Sequence, residues 1–285
     1  MGTKRSREGQ PLGFYTKSES ASNTMPSSES AGPTLTIFEA FRNELDEHHD
    51  RRERIIKTSR DITALSKKII FALQRVRAIN QPLPPKIAQE NQARLDQIHA
   101  LFTSIVADVS DINSWRYQRQ MSGGIQEFIE AIGFDHYLRT QTLITLAEVA
   151  AWLPTGILVT EEDYLMGLFD LTGEMMRFAV LALSSGNAIP AVATEPCEGA
   201  ARQLPHLSPT QAAIVIDLRA MRARFESLGV PRRHQILKDL WKKMEVMRNS
   251  VEKVERAAYG ILVRGSERPS GWTPDLSAPM EVETQ

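Results

Sequence analysis

Residues 163–177 read Asp163-Tyr164-Leu165-Met166-Gly167-Leu168-Phe169-Asp170-Leu171-Thr172-Gly173-Glu174-Met175-Met176-Arg177. Just ahead of them Thr160 is a good helix cap, and Glu161, Glu162 and Asp163 fill the first turn, where the helix dipole favours acids. From Leu165 to Leu183 the apolar side chains then cover half the helix circumference or more, so the pattern predicts a helix over 160–184 that is buried on several sides. The polar stripe that remains is narrow. It holds Asp170, Glu174 and Arg177, with Gly167 and Gly173 at its edges, where another backbone can come close. Carboxylates on such a helix cannot sit unpaired in a low dielectric. Two of them about 5 Å apart repel by roughly 3 kcal/mol at an effective dielectric of about 20. Bases must neutralise them, or a metal ion must. An internal ion pair of Asp170 and Glu174 with Arg177 satisfies the same pattern.

A second acidic pair lies upstream in Gly123-Gly124-Ile125-Gln126-Glu127-Phe128-Ile129-Glu130-Ala131. Glu127 and Glu130 are three apart, and Asp170 and Glu174 four apart, both spacings that make neighbours on a helix surface. Met121, Ile125, Phe128, Ile129 and Ile132 cluster within an arc of roughly 100°. Glu127 and Glu130 lie almost opposite that arc, which is also what a solvated polar face looks like. The sharper reading is that the four carboxylates meet across two packed helices and bind a divalent cation.

Around these two helices the rest of the chain reads as helical. Phe38, Phe41, Leu45, Ile55, Ile62, Ile69, Leu73 and Val76 mark a helical period with no Pro or Gly across 34–81. That is a helix of about 45 residues, about 65 Å long. A helix of this length packs along a bundle or reaches into a partner subunit. Its other faces carry Arg51, Arg52, Arg54, Lys57, Arg60, Lys67, Lys68, Arg75 and Arg77, either a solvated face or a phosphate-facing stripe. Pro82-Leu83-Pro84-Pro85 ends it. A second helix follows with Ile87, Leu95, Ile98, Phe102 and Ile105 on one face, and a turn at Asp111–Ser114 leads into the acidic Glu127/Glu130 helix. Thr145-Leu146-Ala147-Glu148 matches a capping box for a short helix. Ser208-Pro209 opens another helix, and the last, about 231–262, has a near-heptad repeat suited to an oligomer seam. Residues 1–33 and 268–285 are polar tails expected to be disordered. The connection over about 184–209 is long enough to be mobile or functional. No strand-like alternation of useful length occurs, so the fold class is all-α.

Composition narrows the function classes. Net charge is −1, so nucleic acid binding would rest on local segregation of charge. One cysteine, Cys197, excludes an intramolecular disulfide and suits a reducing compartment. No apolar run approaches the roughly 20 residues of a membrane span, and the N-terminus has no apolar signal core. Lys4-Arg5-Ser6-Arg7 reads as part of a nuclear import signal or as a solvated basic start. Cys/His zinc spacing, a phosphate-cradling glycine loop and a Ser-His-Asp order that helices would support are all missing.

The motifs resemble the translin superfamily. Glu44-Leu45-Asp46, His49-Asp50, Glu53-Arg54, Ser59-Arg60-Asp61-Ile62-Thr63 and Ser66-Lys67 are similar to its first helix. Gln126–Ala131, Asp163–Gly167, Asp170–Arg177 and Val263-Arg264-Gly265-Ser266-Glu267 extend the likeness in order over about residues 35–267. The likeness is to the translin-associated, catalytic branch rather than to translin itself. It implies a seven-helix translin-like bundle with long helices, and a hetero-oligomer with translin that encloses single-stranded or structured small RNA. It further implies a Mg²⁺-dependent endoribonuclease whose acidic site falls on Glu127, Glu130, Asp170 and Glu174, with RNA contacts at Arg54, Arg60 and Lys67. The expected location is cytoplasmic and nuclear. The other reading is a non-catalytic RNA-binding or scaffold subunit of the same complex.

Overall fold

The structure is a computed structural model that describes residues 33–184, 207–229 and 237–264. The tails over 1–32 and 265–285, most of the 184–209 connection and the start of the predicted last helix lie outside the described residues. Among the described residues there are eight helices and no strand. They are α1 (Pro33–Leu73), α2 (Pro85–Ile105), α3 (Ile112–Arg116), α4 (Gln118–Thr140), α5 (Leu146–Trp152), α6 (Glu161–Ser184), α7 (Pro209–Glu226) and α8 (Leu237–Arg264). The all-α class holds. The expected seven helices become eight because the turn at Asp111–Ser114 continues into the five-residue α3. Asp111 enters it with a left-handed φ of 54°.

The chain divides into two compact units after Glu47. In the first, the described residues are all helical, and Leu35, Ile37, Phe38, Phe41 and Leu45 are exposed. In the second, α1 buries Ile55, Ile62, Ile69 and Leu73, spaced so that one stripe of the helix faces the core. Ser59 lies in that stripe. Its Oγ accepts a hydrogen bond from the Gly124 amide at 3.1 Å, and a Cβ at Gly124 would stand 2.9 Å from the Ser59 carbonyl oxygen.

Periodicity predicts α1 to run to about residue 81, but it ends at Leu73. Beyond it Val76, Ile79 and Leu83 are buried by a chain that turns instead of continuing. Asn80 takes a left-handed φ of 56° there, and its amide donates to the Leu138 carbonyl at 2.8 Å. Burial of these three side chains, roughly 1.5–3 kcal/mol each, outweighs the lost helical turn.

The predicted capping box is present: Thr145 Oγ1 accepts from the Glu148 amide and the Glu148 carboxylate accepts from the Thr145 amide. Ser208 and Gln211 form a second box at the start of α7. Helix α6 is surrounded by α4, α7 and α8. Leu171, Met175 and Phe178 are at most 1% exposed, and Phe169 stacks on Phe225 of α7 at 4.0 Å.

The two glycines at the edges of the α6 polar stripe differ. A Cβ at Gly167 would stand 2.7 Å from Ile129 Cγ2 and 3.0 Å from the Gln126 carbonyl oxygen, so this glycine sets the approach of α6 to α4. A Cβ at Gly173 would meet nothing within 4 Å, so no close approach occurs there. Ile129 is β-branched and cannot swing aside cheaply. Gly167→Ala is therefore expected to destabilise the protein by about 1–2 kcal/mol, overpacking outweighing the gain in helix propensity. Gly173→Ala is expected to stabilise it by about 0.5–1 kcal/mol. Chemical denaturation of the two variants beside the wild type gives both signs.

Candidate metal centre

The α4–α6 seam begins at Asp163, which is 1% exposed. Gln118 and Ser122 of α4 both donate to its carboxylate, as do Gln126 Nε2 at 3.1 Å and Thr160 Oγ1 at 2.8 Å. The Asp163 amide in turn donates to Thr160 Oγ1 at 3.1 Å, the expected N-cap. A buried carboxylate satisfied by amide and hydroxyl donors pins the start of α6 to α4. The Gly167 contact comes one turn later, and the acidic residues follow one and two turns beyond that.

Glu130 projects into this seam and is 9% exposed, although by amphipathicity it stands opposite the apolar arc of α4. The covering helix is α6. Burial, chiefly, and the charges of Asp170, Glu127 and Glu174 push the Glu130 carboxyl up to about 8, against an opposing pull from the Lys243 ammonium. The structure thus brings the four sequence-predicted acidic residues into one electrostatic cluster. Glu130 has no hydrogen bond or ion pair among the described residues.

The other three carboxylates each carry a basic partner. Lys67 Nζ of α1 lies 3.2 Å from Glu127 Oε1. Arg177 Nη1 lies 2.8 Å from Glu174 Oε1, while Gln74 Nε2 donates to Glu174 Oε2 at 2.7 Å and to the Glu174 carbonyl at 3.0 Å. Lys243 of α8 reaches Asp170 Oδ2 at 2.5 Å and the Met166 carbonyl at 3.2 Å. With Glu130 neutral, three anions face three cations and the cluster is closed in charge. Gln74 and Lys243 were not among the residues singled out from sequence. No local pattern marks them, because each meets its carboxylate across about 70–100 residues of chain.

Among the described residues no group of three or more His, Cys, Asp or Glu side chains stands arranged to hold a metal ion. Three of the four carboxylates here are engaged by basic partners instead. The donor set itself is all oxygen, the type that suits Mg²⁺, and Glu130 adds a carboxyl with no competing partner. The residues therefore fit a hard divalent cation, on condition that the basic side chains give way.

Of the residues expected to meet RNA, Arg60 is exposed and Lys67 is the partner of Glu127. Arg54 is held at two points by Asp108, at 2.7 and 3.0 Å, and its guanidinium holds the Asp108 carboxyl below the usual range. This pairing takes up two of the three guanidinium nitrogens of Arg54.

Comparison with known proteins gives a consistent result. The model of the Translin family matches residues 50–265. Translin-associated protein X of Rattus norvegicus is 28% identical over 271 residues, covering 87% of this chain and 84% of its own. Translin of Homo sapiens is 23% identical over 237 residues, covering 80% of this chain and 92% of its own. The solved structure of apo-NeC3PO superposes with a TM-score of 0.56 at 15% identity, covering 82% of this chain and 96% of its own, and so shares the fold.

The Glu130 shift predicts a pH dependence for the metal-free protein. The folded state holds a proton that the unfolded state releases near 4.5, so its contribution to stability falls as pH rises from there towards 8 and is flat above. Glu130→Gln removes that slope. The wild type is expected to lose on the order of 2 kcal/mol relative to the variant between about pH 6 and pH 8. Denaturant titrations of both proteins in EDTA across that range measure the difference. Parallel curves would mean that the carboxyl is not buried against its neighbours.

Proposed function

The chain belongs to the Translin family, and on that premise we propose that it is the catalytic subunit of a hetero-oligomer with translin, a Mg²⁺-dependent endoribonuclease. Its substrates would be small or precursor RNAs, met in the cytoplasm and the nucleus. The observation that carries this reading is the seam between α4 and α6, where Glu130 is buried among Glu127, Asp170 and Glu174. A fold gains no stability from gathering four carboxylates in a partly dehydrated seam, so such a cluster marks a site. The name of the rat relative supports the partnership with translin, as does the greater likeness to that protein than to translin itself.

Glu127, Glu130, Asp170 and Glu174 would hold the metal. A bound Mg²⁺ supplies an activated water and offsets charge on the phosphate as the bond breaks. The chain's own side chains do the rest. Lys67, Lys243 and Arg177 pair with the carboxylates here, and with those acids engaged by a metal the three cations would be free to meet a phosphodiester. Arg60 and Lys67 of α1 offer exposed cations for the RNA backbone, and Arg54 a third once it leaves Asp108. Gly167 and Asp163 hold α6 in register with α4, so that both acidic pairs face one space.

The pairing of three carboxylates with bases favours the second reading, a non-catalytic RNA-binding or scaffold subunit. One comparison separates the two. The protein co-expressed with translin is expected to cleave single-stranded RNA in Mg²⁺ and not in EDTA, leaving 5′-phosphate and 3′-hydroxyl ends. Asp170→Asn is expected to lower the rate by at least about a hundredfold, with assembly and RNA binding unchanged. Full activity of Asp170→Asn, or products ending in 2′,3′-cyclic phosphate, would reject metal-assisted hydrolysis at this cluster.

A further inference from the structure

Phe71 is 75% exposed, and it is the one large apolar side chain so exposed between His48 and Leu73 of α1. Its surroundings on the helix are not apolar. Lys67 and Lys68 precede it by four and three residues on the helix, spacings that put both beside it, while Gln74 and Arg75 follow just past the helix end, Arg75 paired with Glu90 at 3.6 Å. Lys57, Arg60 and Lys68 on the same side of α1 are exposed and make no ion pair among the described residues. Two of the flanking residues also reach the carboxylate cluster: Lys67 pairs with Glu127, and Gln74 donates to Glu174. Phe71 therefore stands near the end of α1, between two residues of the chain that touch the candidate metal centre. An isolated exposed aromatic is common on protein surfaces. One flanked by cations at the rim of an acidic cluster is not explained by packing.

We infer that Phe71 is a base-stacking platform, on which an unpaired base of single-stranded RNA lies while Lys68 and Arg60 hold neighbouring phosphates, so that the strand is led to the carboxylates. This rests on the RNA-cleaving reading and adds a nucleobase subsite to it. The charge around Phe71 selects the occupant. Exposed cations at Lys57, Arg60 and Lys68 beside the ring favour an anionic occupant that also carries a flat apolar face. A single strand presents π faces at the spacing of its phosphates, and aromatic residues interleaved with bases hold both. The stacking is indifferent to base identity, because every base has a π face.

The test measures binding apart from cleavage. The full chain assembled with translin is titrated in EDTA with a fluorescently labelled single-stranded RNA. Phe71→Ala and Phe71→Leu are expected to weaken binding roughly five- to hundredfold and to leave the salt dependence unchanged, while Phe71→Trp restores affinity. Lys68→Ala should instead make the slope of log K against log salt shallower by about 0.7. A 2-aminopurine base walked along the RNA is expected to be quenched at one position in the wild type and to recover there in Phe71→Ala. Wild-type affinity in Phe71→Ala overturns the stacking platform and leaves the nuclease reading intact. A change in oligomeric state with RNA affinity per assembly unaltered assigns Phe71 to a protein contact and also overturns it. A wild type that binds no RNA removes this inference together with the function it rests on.

Discussion

The close passage of α6 over α4 is the constraint on which the rest depends. It exists because residue 167 has no side chain, so Ile129 and the Gln126 carbonyl occupy the space a Cβ would need. Asp163 secures the same seam from its N-terminal end through donors on α4 and the preceding turn. The next two turns of α6 then carry Asp170 and Glu174 to where their charges act on Glu130. The acidic cluster is thus a consequence of helix register, and it costs free energy that the apolar flanks of both helices must offset. Leu171, Met175, Phe178, Phe128 and Ile129, all essentially buried, supply that burial.

Charge is balanced within the seam. Burial and the neighbouring acids push Glu130 towards its neutral form, and α1, α6 and α8 each contribute one basic group to the remaining three acids. The cluster is therefore a meeting point of four helices, though only α4 and α6 carry its carboxylates. Around this centre α1 contributes a graded surface: buried Ile residues on one side, partners of the acids at the edge, and free cations with Phe71 beyond.

Much of the fold was legible in order. The periodic stripes of α1, α2 and α4, the capping box at Thr145 and the apolar circumference of α6 are local properties, and the structure carries each of them. Where reading by period failed, a distant contact had overridden it. The helix was expected to reach residue 81, but Val76, Ile79 and Leu83 gain more by packing into the core than by continuing α1. The turn at Asp111 hid a short α3 that no periodicity of five residues can reveal. Gly167 and Gly173 look alike in sequence, yet only one is crowded, because only one faces α4.

The sequence by itself determined that the chain is all helical, that α6 is buried on several sides, and that its carboxylates need partners. These follow from side-chain polarity and spacing along one helix. The motifs determined the family. Tertiary structure alone decided that Glu130 leaves the solvent, since α4 taken singly puts it on the polar face and only the arrival of α6 covers it. It likewise decided which bases answer which acids: Lys67, Gln74 and Lys243 are far from their partners in the chain, and a pairing across that distance is set by packing, which no local pattern encodes.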